Sequence, residues 1–180
     1  RLGARLTEGG TRSAVAFTTS GASGRECPIS GSVRLVRSFD RFVLETLSNP
    51  GRDRWLQIDE PGEGRGGFEI GGRTGTAVWS MDDLSTGRWL ERFGTADLEL
   101  PVRVRAWYPG DRIRYSYGSK KLKKVFGEAR IPRDGRARMP IVVDGQGRVL
   151  WVPGVTRSSL VPPGDKGKTL TISVNILEEM

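Results

Sequence analysis

Lys120, Lys121, Lys123 and Lys124 place four ammonium groups within five consecutive positions. Charges this close repel one another at low salt, and an anion bound among them relieves the repulsion. Arg105, Arg112 and Arg114 come shortly before them, and the planar guanidinium fork matches a phosphate in two-pronged fashion. Trp107, Tyr108, Tyr115 and Tyr117 are interleaved with these cations. Aromatic faces can stack on unpaired bases, but aromatic residues near strand ends also pack cores, and Trp107 and Trp151 are expected to do so. The chemistry on offer is the holding of a polyanion.

The charge distribution supports this. Between Arg103 and Arg138 stand twelve Lys or Arg against three acids, Asp111, Glu128 and Asp134. The rest of the chain is close to balanced, so one segment supplies the whole net charge of +8. Solubility needs charge but does not require it to be segregated, whereas an anionic partner benefits directly. Bond-making groups are scarce. The chain has no histidine and a single cysteine, Cys27, which argues against the commonest general base and against a structural zinc site. No Gly-x-x-x-x-Gly-Lys-Ser/Thr loop occurs, and the pairs Asp82-Asp83 and Glu178-Glu179 read as surface acids. Catalysis by this chain alone is not expected, and Cys27 reads as an inert small hydrophobe. A lone cysteine fits a reducing, cytoplasmic setting. No apolar run approaches the ~20 residues that span a bilayer. Membrane-surface binding is also disfavoured, because Leu122, Val125 and Phe126 are needed for the core.

The elements that must position these residues are mainly strands. With 25 glycines and 10 prolines in 180 residues and no strict period, the chain reads as turn-rich β structure. Residues 1–28 read as the end of something else, too short to be a domain, with Thr7 and Thr11 as candidate caps of short helical pieces and Ala14, Val15 and Phe17 as an apolar face. From Ser32 the period becomes two. Val33, Leu35, Phe42 and Leu44 point inward on a hairpin turning near Ser38. Short strands follow at 55–58, 68–70, 76–79 and 98–107, with Asp82-Asp83-Leu84 as a single helical turn. Ser119 is the predicted N-cap of a helix whose Leu122, Val125 and Phe126 share one stripe, which would set the lysines about a helix start. Pro132 opens a second short helix reaching Met139. Residues 141–143 and 148–152 form a hairpin around Asp144 to Gly147. The final strand spans Thr169 to Leu177 with Leu170, Ile172, Val174 and Ile176 inward. The expected class is α+β, mainly antiparallel sheets with one or two short helices in the C-terminal half.

Several runs carry a family resemblance: Arg105 to Arg112, Gly118 to Phe126, Ile131-Pro132 with Arg136, Met139 to Asp144 and Leu150 to Gly154. In order, spacing and residue type these resemble the C-terminal domain of the tRNA(Ile)-lysidine synthetase family. Ser32 to Leu44 resembles the strand pair that follows the family's middle helical domain. The resemblance lapses over residues 45–100. It implies domains at 1–28 (the tail) and 29–180 (a C-terminal tRNA-binding domain), with 101–180 the most family-like part. The implied fold is layered, like a domain shared with phenylalanyl-tRNA synthetase. The family's enzyme activates the wobble cytidine of tRNA(Ile) with ATP and attaches lysine.

That chemistry belongs to an N-terminal domain with a Ser-Gly-Gly-x-Asp-Ser loop, which this sequence lacks. ATP and Mg would bind there, and no cofactor is expected in this chain. Its opening at Arg1-Leu2-Gly3 reads as a piece of a longer protein. The implied partner is tRNA(Ile) with a CAU anticodon, held by Arg105, Arg112, Arg114, Lys120, Lys121, Lys123 and Lys124. Leu122 and Phe126 would anchor the helix in the core. A monomer or a homodimer is compatible with the resemblance. The rival expectation is a protein-interaction or scaffolding domain whose basic stretch docks an acidic partner, marked by an apolar patch within 45–100.

Overall fold

The computed structural model describes residues 8–20, 25–30, 33–38, 40–46, 53–82, 87–165 and 167–177. The chain separates into two compact units, Arg1–Asn49 and Pro50–Met180.

The first unit holds helix α1 (Glu8–Ser20) and strands β1 (Glu26–Ser30), β2 (Val33–Ser38) and β3 (Arg41–Thr46), paired antiparallel in that order. β1 therefore runs across residue 28, where the sequence pattern places a domain boundary. Thr11 lies inside α1 and not at its cap, while Thr7 is outside the described residues. Ile29, Val33 and Leu35 are buried, but Phe42 and Leu44 are exposed, which corrects the expectation that all four hairpin residues point inward. Leu44 sits opposite Leu35 in the ladder, but α1 packs chiefly against β1 at the far edge. α1 also meets β3, Phe17 lying edge-on to Phe42 with ring centres 6.0 Å apart, but leaves Phe42 and Leu44 exposed.

The second unit contains β4 (Leu56–Ile58), β5 (Gly64–Ile70), β6 (Arg73–Ser80), β7 (Trp89–Gly94), β8 (Val102–Ala106), β9 (Arg112–Tyr115) and β10 (Gly118–Lys121). It continues with α2 (Leu122–Glu128), α3 (Arg133–Arg136), β11 (Pro140–Val143), β12 (Val149–Val152), β13 (Thr156–Arg157) and β14 (Thr169–Ile176). One sheet runs β10-β9-β12-β11-β8-β4, with β13 also on β12; the other runs β5-β6-β14-β7. Every pairing is antiparallel except that of β12 with β9.

Two cores make this unit layered. Between the sheets lie Phe68, Phe93, Leu170, Ile172 and Val174 against Ile58, Val102, Val104, Val142, Leu150 and Trp151. On the other face of the larger sheet, Leu122, Val125 and Phe126 of α2 pack on Ile113, Ile141, Val143, Val149 and Val152. Both faces of β11 and β12 are covered, which explains their unbroken apolar runs. β8 alternates, with Val102 and Val104 fully buried between half-buried arginines. The fold is therefore the expected α+β, mostly antiparallel and with few short helices. Trp151 is buried in the inter-sheet core, as expected, and Trp107 packs edge-on against Phe126 at 5.3 Å.

Some local expectations need correction. Ser119 does not cap α2: Gly118 to Lys121 pair with Tyr115 to Arg112 as strand, and the helix begins only at Leu122 with Lys121 at its cap position. A two-residue turn at Ser116 and Tyr117, closed by Gly118 at φ +136°, lets the ladder take those residues before a helix can. The second helix is one turn, not a run to Met139. The strand expected from Leu98 starts at Val102, and Ile176 is only half-buried. Asp83 and Leu84, read as a helical turn, lie outside the described residues. Neither β7 nor the β9–β10 hairpin is among the elements expected from the sequence.

Candidate functional site

The β9–β10 hairpin sets Arg112 directly opposite Lys121, and Arg114 opposite Ser119. Residues facing each other across an antiparallel ladder share a face, so these four form one side of the ribbon. Ile113 lies on the other side, fully buried beneath α2, which fixes the ribbon's orientation. Like charges directly opposite each other destabilise a ladder. Arg112 nevertheless stays in place, its Nε donating to Ser119 Oγ at 3.1 Å and an Nη to the Ser119 carbonyl at 3.0 Å.

Helix α2 continues the surface. Burial of Leu122, Val125 and Phe126 leaves Lys123 and Lys124 exposed on its first turn. Arg112, Tyr117, Gly118, Ser119, Lys120, Lys121 and Lys124 line a shallow depression of about 350 Å³. Tyr117, 78% exposed, stacks on Tyr115 with ring centres 5.2 Å apart and planes within 10°. Tyr115 is steadied by a 3.2 Å hydroxyl contact with Thr156. No acid is paired with Arg112, Arg114, Lys121, Lys123 or Lys124 among the described residues.

The other two expected site residues are engaged internally. Lys120 points to the helix side and donates to Glu128 at 2.7 Å. That hydrogen bond holds the Glu128 carboxyl below the usual carboxylate range and raises the Lys120 ammonium above the usual lysine value. Arg105, on β8, reaches both carboxylate oxygens of Asp111 at 2.9 and 3.0 Å. Asp111 also accepts the Tyr108 amide at 2.6 Å, and its carbonyl accepts the Leu122 amide at 2.9 Å. Arg105 and Asp111 thus brace the Pro109-Gly110 turn against the start of α2.

The depression gathers Arg112, Lys120, Lys121 and Lys124; Arg114 shares the ribbon face with Arg112, Lys123 stands beside Lys124 on the first turn of α2, and Arg105 lies apart on β8. Sequence reasoning missed Ser119 as the residue that orients Arg112. The signal was the alternation of Arg112, Ile113, Arg114 and Tyr115 ahead of a Ser-Tyr-Gly turn, which the nearby lysine helix obscured. The geometry presents cations and an open aromatic face, and it suits phosphate contact and stacking.

Comparison with known proteins places residues 102–171 within the profile described as the TilS substrate C-terminal domain. A tRNA(Ile)-lysidine synthase of Geobacillus kaustophilus is 52% identical over 66 residues, covering 36% of this chain and 14% of that protein. One from Exiguobacterium sibiricum is 35% identical over 87 residues, 48% of this chain and 21% of that protein. The solved structure titled "Crystal structure of TILS C-terminal domain" aligns over 70% of this chain and 100% of its own length, with a TM-score of 0.54 and 28% identity. The matched stretch spans at most about a fifth of the two curated relatives.

Proposed function

Because residues 102–171 match the family model described as the TilS substrate C-terminal domain, we propose that this chain holds tRNA for a tRNA(Ile)-lysidine synthase. Arg112, Arg114, Lys121, Lys123 and Lys124 contact the phosphate backbone. The observation that carries this reading is the like-charged Arg112–Lys121 pair continuing into the exposed Lys123 and Lys124 of α2. Such a surface is destabilising for the protein alone and favourable with a polyanion bound. Arg105 and Lys120 act from behind, keeping the turn and the helix in place. The chemistry, ATP-dependent attachment of lysine to the wobble cytidine of tRNA(Ile) with a CAU anticodon, takes place in the cytoplasm on a separate catalytic domain that binds ATP and Mg. This chain contributes position.

The scaffolding alternative is less well supported. Within 45–100 the large exposed hydrophobics among the described residues are Trp55 and Leu100, and they make no broad apolar patch of the kind that marks protein docking.

The test is a fluorescence-anisotropy titration with unmodified tRNA(Ile) bearing CAU, and with elongator tRNA(Met), at two salt concentrations. Binding should weaken steeply with salt. Each phosphate neutralised by a cation adds roughly 0.7 to 0.9 to the slope of log K against log salt. Joint reversal of Lys121, Lys123 and Lys124 to Glu should therefore flatten that slope by about 2. Unchanged affinity and slope in that variant would remove the proposal. Preference for the isoleucine tRNA would assign identity recognition to this piece; equal binding would make it a general clamp.

A further inference from the structure

The larger sheet carries a second cationic and aromatic surface, on the half that α2 does not cover. β4 and β8 pair with Leu56 opposite Val104, Gln57 opposite Arg103 and Ile58 opposite Val102. Ile58, Val102 and Val104 belong to the inter-sheet core, with Leu56 packed against it. Side chains alternate along a strand, so Gln57, Arg103 and Arg105 face the other way. On that side Ile141 and Val143, the neighbours of Arg105 and Arg103 on β11, lie in the cluster beneath α2. That cluster includes nothing from β4, and the sheet beyond β11 carries Arg103 and Arg105 instead.

Two arginine–aromatic pairs stand on this open half. The Arg103 guanidinium lies 5.7 Å from the Trp55 ring centre while its Nε donates to Gln57 Oε1 at 2.9 Å. Arg105, braced by Asp111, lies 4.5 Å from the Tyr108 ring centre. The aromatic partners are open, Trp55 being 53% and Tyr108 56% exposed. Trp55 is also held firmly at its backbone. Arg54 before it exchanges two 2.8 Å backbone hydrogen bonds with Glu69, and Leu56 after it enters the ladder. A large ring left in water on a fixed backbone, with a cation against it, is arranged in advance for a flat partner.

We propose that this open half-sheet binds unpaired nucleobases of an RNA strand, with Trp55 and Tyr108 as stacking plates and Arg103 supplying positive charge beside them. Arg103 contacts a neutral amide and is paired with no acid among the described residues, so its charge remains available to a phosphate. The two pairs rest on Arg103 and Arg105, about 7 Å apart along β8, so an extended strand meets two aromatic plates while Arg105 itself stays bound to Asp111. A duplex keeps its bases stacked internally and offers no such flat face in mid-helix. The proposal rests on the reading of this chain as an RNA binder but uses residues other than those of the lysine surface.

The test compares a short labelled single-stranded RNA with a blunt RNA duplex, each titrated against the whole chain and its Trp55→Ala and Trp55→Phe variants. Trp55→Ala should weaken single-strand binding about tenfold and leave duplex binding unchanged, with Trp55→Phe recovering most of the loss. Single-strand binding should also quench tryptophan fluorescence in the unmodified chain, and Trp55→Phe should remove that component. Duplex binding without single-strand binding, or equal loss on both RNAs in Trp55→Ala, would overturn the proposal and leave the lysine surface standing. Failure of the unmodified chain to bind either RNA would overturn this proposal together with the reading on which it rests.

Discussion

Arg157 and Lys121 lie in the same unit and are used in opposite ways. Arg157, on β13, donates to Glu91 of β7 at 2.7 Å and to the Val161 carbonyl at 2.8 Å, and lies over the Phe93 ring. It ties one sheet to the other. Lys121 faces Arg112 across a hairpin and is paired with no acid among the described residues. At the junction of the sheets charge is half-buried and matched, and its role is structural. On the hairpin, charge is open and repulsive, and its compensation must come from outside the chain. What distinguishes a working cation from a structural one here is its partner, since the cores on the two sides are alike in holding a fully buried ring, Phe126 beneath α2 and Phe68 between the sheets.

That equality of packing can be tested with the largest effect. Phe126→Ala beneath α2 and Phe68→Ala between the sheets both remove a fully buried ring, and each should cost about 3–5 kcal/mol in urea unfolding. A much smaller loss at Phe126 would mean that the hairpin side is loosely built and that the comparison fails. Next, Asp111→Ala should cost about 2 kcal/mol, since it strips two bonds from Arg105 and one from the Tyr108 amide. It should also weaken tRNA binding by loosening the turn beneath α2.

A smaller effect has an informative sign. Lys121→Gln, which adds no favoured helix cap, removes the like-charge pair with Arg112, so thermal stability should rise by a few tenths of a kcal/mol to about 1 kcal/mol while tRNA affinity falls. A stability loss would contradict the description of this site as internally repulsive. The smallest effect belongs to Lys120 and Glu128. Glu128 is lowered and Lys120 raised by their mutual hydrogen bond. Their contribution is therefore present throughout the neutral range, lost in acid as Glu128 protonates, and lost in strong base as Lys120 deprotonates. Melting temperatures of Lys120→Met and the unmodified chain should keep a constant separation between about pH 6 and 9 and converge in acid.

Much of this architecture was legible. The alternation of Val102, Arg103, Val104 and Arg105 gave one buried and one wetter face, as observed. The stripe Leu122, Val125 and Phe126 is the buried side of α2. The β9–β10 hairpin was not legible, because Gly118 to Lys121 is polar and runs directly into helical residues. Local propensity there favours a helix start, and only pairing with Arg112 to Tyr115 turns those residues into strand. β7 was hidden for a similar reason: Trp89 to Gly94 shows no clean alternation, and its place is set by pairing with β14, about eighty residues away. Phe42 and Leu44 were misread because a strand's alternation shows which residues share a face but not how completely that face is covered, and here the edge-on ring of Phe17 leaves both exposed.

Taken alone, the sequence was sufficient for the α+β class, the buried stripes and the crowding of positive charge into Arg103 to Arg138. Those properties depend on residue type and near-neighbour spacing, which chain order preserves. Which of the cations are available was decided by tertiary structure. Lys120 is engaged by Glu128 eight residues on, Arg105 by Asp111 six residues on, and Arg157 by Glu91 sixty-six residues back. An ion pair needs its two groups within a few ångströms, and the folded backbone alone sets that distance.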